Sequence, residues 1–431
     1  MAQFNKNTHQ YLDQAKTLFE VVQIADQYGN MVGAANPSGM AVDAFGRARI
    51  SQPITLFDSF NRYQQNSGFA TSNTATASTT YDANSSTVLM TVDTTSGAKV
   101  VHETKRVFAY QPGKSLLIYN TFVMEEEKEG LRQRVGYFGA NNGVFLEQSG
   151  NTVSFVIRSM STGAIVEDAV TQENWNVDKL DETGPSLKSL DITKAQIFFT
   201  DIEWLGVGSV RCGFVIDGQL IHCHTFHHAN LTDNTYMTTA CLPIRYEIEN
   251  IAGTATSSTM RRICSSVISE GGYELRGRAR SAGHAIASPY DLATAGTLYP
   301  AISIKLKSDR LDAIVIPKNF NLLGIGNSTR IQYKIVQDAT VTGGSWASAG
   351  ADSAVEYNLT ATSSSGGTVV TQGYIGITNQ SSTSASLSGE TFKLQLERNS
   401  FTSAASTFTV LVTGAANGDD VLAAIDWEEI T

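Results

Sequence analysis

The sequence is poor in charge, proline and cysteine, and it has no long apolar run. Asp, Glu, Lys and Arg make up only 17% of its 431 residues, against roughly 25% in an ordinary soluble domain. Ser, Thr, Asn, Gln and Gly must therefore cover much of the surface, as in TSNTATASTTYDANSST (71 to 87) and TATSSSGGT (360 to 368). Cations are the scarcer sign, and the formal net charge of −10 gives no global attraction to nucleic acid or anionic lipid. A genome-binding role is thereby disfavoured. No apolar stretch approaches the ~18 residues of a membrane span, and the opening MAQFNKNTHQYLDQAK does not resemble a signal peptide. The expectation is synthesis in a cytoplasm and no membrane partner. Cys212, Cys223, Cys241 and Cys264 are too few and too spread for a disulfide framework, so they are expected to be reduced and mostly buried. Walker loop, Rossmann fingerprint, nucleophile elbow and paired-cysteine zinc motif are all missing, and no cofactor is expected.

What is present is strand periodicity. Val153, Phe155 and Ile157 follow the turn Ser149-Gly150-Asn151 at a spacing of two, which points them to one face. Phe214 and Ile216 precede Asp217-Gly218 and Leu220 follows it, a pair suited to the positive φ angles of a tight hairpin. QIFFTDIEWLGVG (196 to 208) is nearly continuous in apolar residues, as a strand covered on both sides should be. Phe392, Leu394 and Leu396, then Phe408, Val410 and Val412, alternate in the same way, and Ile425 and Trp427 suggest a last strand tucked into the fold. Residues 270 to 295 interrupt the rhythm with Gly, Arg and Pro. The N-terminal residues differ: the amphipathic stretch Tyr11 to Ile24 runs into a turn-rich segment holding Gly29, Gly33, Pro37 and Gly39. A segment without its own core lies on a neighbour. The expected organisation is all-β: an N-terminal extended docking arm (1 to 50), a jelly-roll β-sandwich (51 to 272) and a second, C-terminal β-sandwich (273 to 431).

Three clusters carry candidate chemistry. In TDIEWLG (200 to 206), Asp201 and Glu203 would project from one strand face, where two carboxylates can divide acid and stabilising roles. The motif resembles the strand of the concanavalin-like β-glucanases and laminarinases, with Glu, Asp and Glu at i, i+2 and i+4. The resemblance places the nucleophile on Phe199, the middle aspartate on Asp201 and the acid/base on Glu203. Without a nucleophile no glycosyl-enzyme forms, so the motif speaks for a sandwich rather than for hydrolysis, and no catalytic residue is assigned. HCHTFHH (222 to 228) gathers His222, Cys223, His224, His227 and His228. Two histidines sharing a strand face can hold zinc or copper if a third ligand such as His102 arrives, but a polar strand face is the simpler reading, and no metal is assigned. Arg276, Arg278 and Arg280 alternate without interleaved aromatics, the pattern of an interface rail that pairs with carboxylates rather than with nucleic acid.

GMAVDAFGRARISQPITLFDSFNRY (39 to 63) and KRVFAYQPGKSLLIYNTFV (105 to 123) resemble virion structural proteins of tailed phages. In that family a DAFGR and TLFDS stretch leads from an N-terminal arm into a jelly-roll domain. WLGVGSVRCGFVIDGQLIHCHTFHHAN and LPIRYEIEN (242 to 250) extend the resemblance over about residues 18 to 272. It implies a non-enzymatic virion component that is synthesised in the host cytoplasm and partnered by other virion structural proteins and by copies of itself. The address is open among tail, collar, baseplate, fibre and capsid decoration. Leu18, Phe19, Val22, Phe45 and Phe57 are the expected docking residues, packing on the protein's own sandwich or on an adjacent subunit, with Arg276, Arg278 and Arg280 as a second contact. Two rivals stand beside this reading. One is a host-glycan or receptor-binding fibre protein using exposed aromatics such as Tyr63, Trp175 and Trp346; the other is a glycan-degrading enzyme acting through Glu203.

Overall fold

The computed structural model describes residues 52–74, 76–271, 277–326, 330–376 and 395–430, together with the backbone of short strands within residues 9–32 and 383–386. Among the described residues nearly every element is a strand, and every strand pair is antiparallel. Residues 1–52 form a unit of their own. In it His9–Leu12 pairs with Leu18–Val21, and Ile24–Ala25 with Met31–Val32.

The first sandwich packs an eight-stranded sheet on a seven-stranded one. The eight-stranded sheet runs Gln219–Phe226, Val210–Ile216, Gln196–Ile202, Ser115–Val123, Ser258–Glu270, Thr87–Val92 and Ser78–Asp82, and Pro53–Ser59 joins the Ser258–Glu270 strand. The seven-stranded sheet runs Val166–Thr171, Thr152–Ser159, Gly143–Ser149, Leu131–Phe138, Ile244–Asn250, Lys99–Thr104 and Phe69–Thr74. Strand neighbours distant in sequence, with the chain crossing between the two sheets, make this a concanavalin-like jelly roll. The period-two expectation holds: Phe155 and Ile157 lie in the core with Val153 packed against them. The expected hairpin forms at Asp217 (φ 53°) and Gly218 (φ 73°), the left-handed pair that a two-residue turn requires. Leu220, by contrast, is exposed, and Ile221 takes the inward place opposite Phe214.

One expectation is corrected here. Trp175 is not an exposed aromatic but lies in the core, 2% exposed. A single 3-10 turn at Gln172–Asn174 folds it inward, where it stacks on Phe155 at 4.2 Å and donates its indole proton to the Val170 carbonyl. A lone Trp in the polar run QENWNVDK has no periodicity to reveal that.

The second sandwich packs a sheet of Arg278–Gly283, Asp419–Ile430, Ile314–Ile325 and Thr383–Ser386, with Tyr290–Leu292 also on Asp419–Ile430. Facing it is a six-stranded sheet of Ala347–Ser348, Val355–Asn358, Tyr299–Leu306, Thr407–Gly414, Arg330–Gln337 and Thr368–Gly376. Ile425, Trp427, Phe408, Val410 and Val412 form its core, as their alternation predicts. Leu396 is buried but holds only an isolated bridge to Val315; Phe392 and Leu394 lie outside the described residues.

A seam joins the two sandwiches. Val107, Ala109 and Cys241 of the first form an apolar cluster with Ile314, Ile316 and Ile430 of the second. Beside it Arg106 grips Glu397 with two nitrogens, Nε at 2.7 Å. Ser400 donates its hydroxyl to the Thr104 carbonyl at 2.6 Å and its amide to Lys105 at 3.0 Å. Thr239 donates to Asp312 at 2.6 Å, and Arg398 bridges Asp312 and the Cys241 carbonyl. Because Glu397 is buried, Arg106→Ala strands a carboxylate, at a cost of about 3–5 kcal/mol. Calorimetry should then show the parent's unfolding transition lowered and split into separate transitions for the two sandwiches. An unshifted profile would show that the pair contributes nothing to the seam.

Candidate functional site

The two carboxylates of the glucanase-like motif differ in setting, although, beside burial, the charges of Glu270 and Glu203 both reach Asp201 and raise its carboxyl. The motif's strand ends at Ile202, so Asp201 faces outward from the sheet while Glu203 falls into the following loop and is exposed. Asp201 is paired with Arg211 across the hairpin. Burial pushes its carboxyl upward and Arg211 opposes that shift. Phe199, in the nucleophile position, is buried.

The histidines also fail to converge. A bulge at Cys223, between the Cys212–His224 and Gly213–His222 pairs, breaks the two-residue alternation. His222 Nε2 donates to the His224 carbonyl and lies 2.8 Å from the Thr225 hydroxyl, whereas His224 Nδ1 accepts from the Asn176 amide. His228 donates to the Gly208 carbonyl and stacks on Tyr236. Burial holds His224 down to about 4, so it is neutral and structural near neutrality. His102 sits in the other sheet, stacked on Phe69. Among the described residues no three metal-ligating groups gather.

Of the named docking residues, Phe57 takes the first of its two expected places. Phe57 packs into the first sandwich's own core against Phe108 (5.0 Å) and Phe69 (6.1 Å). Arg278 and Arg280 both pair with Asp352, and Arg280 reaches Glu429 at 3.0 Å as well. Val22, Phe45 and Arg276 lie outside the described residues, as do the side chains of Leu18 and Phe19. Tyr63 is exposed, and the half-buried Trp346 carries the Lys305 ammonium 4.2 Å above its ring.

The most elaborate polar surface is one that motif reading missed, the outward face of the seven-stranded sheet. Arg132 and Arg134, Glu147, Arg158, Glu167, Lys99 and Glu103, and Arg245, Glu247 and Glu249 all point outward at period two. They pair across strands, Arg132–Glu249 and Arg134–Glu147 at 2.6 Å, Arg158–Glu167 at 2.7 Å and Lys99–Glu247 at 3.0 Å, and along one strand, Arg245–Glu247 at 2.6 Å. At its centre Phe138, Phe145 and Val156 form a buried outer cluster. The guanidiniums of Arg134, Arg158 and Arg245 lie over its rings at 5.1–5.7 Å. Gly136 makes room for this packing, since a Cβ there would stand 2.8 Å from that of Phe145. The alternation of Arg245, Glu247 and Glu249 in LPIRYEIEN was the available signal.

This lattice runs into a cleft of about 1020 Å³ where the second sandwich overhangs it. Glu103, Arg245, Leu242 and Pro243 line its first-sandwich side; the turns 308–313 and 398–403, with Phe401, line the other.

No family model matches the chain, and no characterised protein matches it in sequence. Among solved structures it is similar to the β-glucanase of Bacillus licheniformis at 13% identity and TM-score 0.31, over 52% of this chain and 99% of that one. It is also similar to the CBM2 module of the evolved Dit of Lactobacillus casei BL23 phage J-1, at 7% identity and TM-score 0.34, over 52% and 100%. A third is the conserved carbohydrate esterase of Shiga toxin-encoding bacteriophage phi24B, at 12% identity and TM-score 0.31, over 51% and 100%. Each likeness spans about half of this chain.

Glu247 gives the lattice a pH signature. Burial pushes its carboxyl up, but Arg245, Lys99 and Arg134 together outweigh this and hold it down to about 2, against an ordinary 4.5. Its contribution to stability is therefore complete above pH 4.5 and is lost as pH falls toward 2. Glu103 and Glu397 are shifted the other way, chiefly by burial, so they do not add to this loss. Glu247→Gln should lower stability at neutral pH by about 3 kcal/mol and flatten the acid limb of the stability curve. A limb as steep as the parent's in denaturant titrations would place the acid sensitivity elsewhere.

Proposed function

We propose that this chain is a non-enzymatic structural component of a tailed-phage virion, assembling through its N-terminal arm and its sandwich surfaces. The observation that carries the reading is the seam, where an apolar cluster and the Arg106–Glu397 pair tie the two sandwiches into one compact unit. A tied boundary between domains is what a load-sharing building block needs, because it limits the hinge freedom that a docking interface would otherwise have to restrain. The resemblance of residues 39–63 and 105–123 to virion proteins supports the same conclusion. The second of these segments supplies Arg106, Val107 and Ala109 to the seam.

Other virion structural proteins and further copies of this chain are the partners in this reading, met through Leu18, Phe19, Val22 and Phe45 of the arm. Phe57 anchors the strand that leaves the arm. Arg278 and Arg280 are already engaged by Asp352 and Glu429, so they serve an interface by holding the sheet edge in shape. Tail, collar, baseplate, fibre and head-decoration positions all fit.

The hydrolase reading loses ground because Asp201 is neutralised by Arg211 and Phe199 offers no nucleophile. Deleting residues 1–50 should abolish incorporation into particles while the remaining chain keeps its strand-rich circular dichroism; normal incorporation would sink the proposal. Glu203→Gln should leave reducing-end release from host envelope polysaccharide at the parent's background level. Release by the parent that disappears in this variant would establish an enzyme instead.

A further inference from the structure

The cleft beneath the seam contains a buried carboxylate with unused acceptor capacity. Glu103 is 3% exposed, and its contact with Arg245 is long, 3.4 Å, because Arg245 turns its shorter bond to Glu247 at 2.6 Å. The neighbouring Ser400 hydroxyl lies between the Thr104 carbonyl, 2.6 Å away, and the Glu103 carboxylate, so Arg245 and Ser400 together fill only part of that carboxylate's capacity. An ionised carboxylate offers about four acceptor positions, and leaving them unfilled away from water is costly. Glu103 lines the cleft, so donors from an occupant of that space would fill them.

The rest of the lining narrows the chemistry. Glu103, Asp309 and Asp312 are matched by Arg245, Arg310 and Arg398, so the cleft carries no net charge to attract or repel an ionised ligand. Most of these groups are held before any ligand arrives. Arg398 pairs with Asp312 at 2.7 Å, and Arg310 donates to the carbonyls of Asp352 at 2.8 Å and Ala351 at 3.2 Å. At the cleft lies the ring of Phe401, 36% exposed, on a turn fixed by Asn399, whose side chain accepts from the amides of Phe401 and Thr402. A partly bare ring next to fixed hydroxyl acceptors matches a molecule with one apolar C–H face and a rim of hydroxyls. The volume of about 1020 Å³ sits at the top of the roughly 300–1,000 Å³ range of ligand pockets, which suits several linked rings better than one.

We propose that this cleft binds an uncharged oligosaccharide, with Glu103 accepting hydroxyl protons and Phe401 stacking on a pyranose face. The site is separate from the arm, so it stands whether or not the chain is a virion component.

The test titrates the full chain with cellohexaose, chitohexaose, maltohexaose and isomaltohexaose by calorimetry and saturation-transfer NMR, with hyaluronan hexasaccharide as the acidic arm and glucose as the single-ring arm. The expected result is binding of at least one neutral hexasaccharide, with glucose much weaker. Phe401→Ala, at an exposed position, should weaken that binding by about tenfold without moving the thermal midpoint, and Glu103→Gln should weaken it in the same direction. The proposal fails if no neutral hexasaccharide binds at about 10 mM, if hyaluronan is preferred, or if binding survives both substitutions. Particles assembled with Phe401→Ala should incorporate the protein normally, which keeps this outcome distinct from the test of assembly.

Discussion

Burying charge is tolerable only when each charge meets an opposite charge or hydrogen-bond partners in good geometry, and the architecture of this protein follows from that constraint. The chain carries few ionisable residues, yet many of them lie under its sheet surfaces or in its seam. Glu247 answers three cations, Glu397 answers Arg106, and Glu429 takes Arg280 together with the hydroxyl of Ser353 and the amide of Ala354. Apart from Arg245, which shares a strand with Glu247, each partner belongs to a different strand or to the other sandwich. A slip of one residue would turn the outward charges into the core and set apolar groups in their place. Strands whose Ser- and Thr-rich flanks specify register weakly are thus held by their ion pairs.

Arg262 shows how the constraint is met without a carboxylate. Fully buried, it donates to Asn61 at 2.7 Å and to Ser59, and its guanidinium lies 3.8 Å from the centre of the Phe69 ring. Uncharged acceptors and a π face take the place of an anion. Arg262 stands where Thr87–Val92 gives way to Pro53–Ser59 along one edge of the Ser258–Glu270 strand. Asn61 also donates to the Ile263 carbonyl at 2.8 Å. The first strand after the arm is therefore tied to the sheet through the core, not through surface contacts alone.

Periodicity made the sandwiches legible, because inward residues such as Phe155, Phe198, Val410 and Ile425 recur at two and a left-handed turn such as Asp217-Gly218 has a distinctive composition. The site was less legible, for identifiable reasons. Spacing placed Asp201 and Glu203 on one strand face but could not reveal that the strand ends at Ile202, which leaves Asp201 buried beside Arg211 and Glu203 exposed. His222 and His224 looked like co-facial ligands because a bulge at Cys223 leaves no compositional mark. Trp175 looked exposed because its burial is made by a turn and not by a strand. The charge lattice was written in plain alternation, Arg245-Glu247-Glu249 against Arg132-Arg134, but outward charge is ordinarily solvent-facing, and only the three-dimensional neighbours show that it is enclosed. The cleft belongs to neither sandwich alone: Glu103 and Phe401 are almost three hundred residues apart, beyond any local pattern.

The seam has one further consequence for how the two halves depend on each other. KRVFAYQPGKS contributes Arg106, Val107 and Ala109 to it, and the stretch ending in LPIRYEIEN follows directly on Cys241, so the first sandwich carries an apolar and cationic patch that is incomplete on its own. In this chain Ile314, Ile316, Ile430 and Glu397 complete it. An isolated first sandwich would expose Val107, Ala109 and Cys241 and leave Arg106 without its carboxylate, a surface suited to association. The second sandwich therefore acts as a built-in partner. It occupies that surface and, by overhanging the charge lattice, creates the cleft that Glu103 lines.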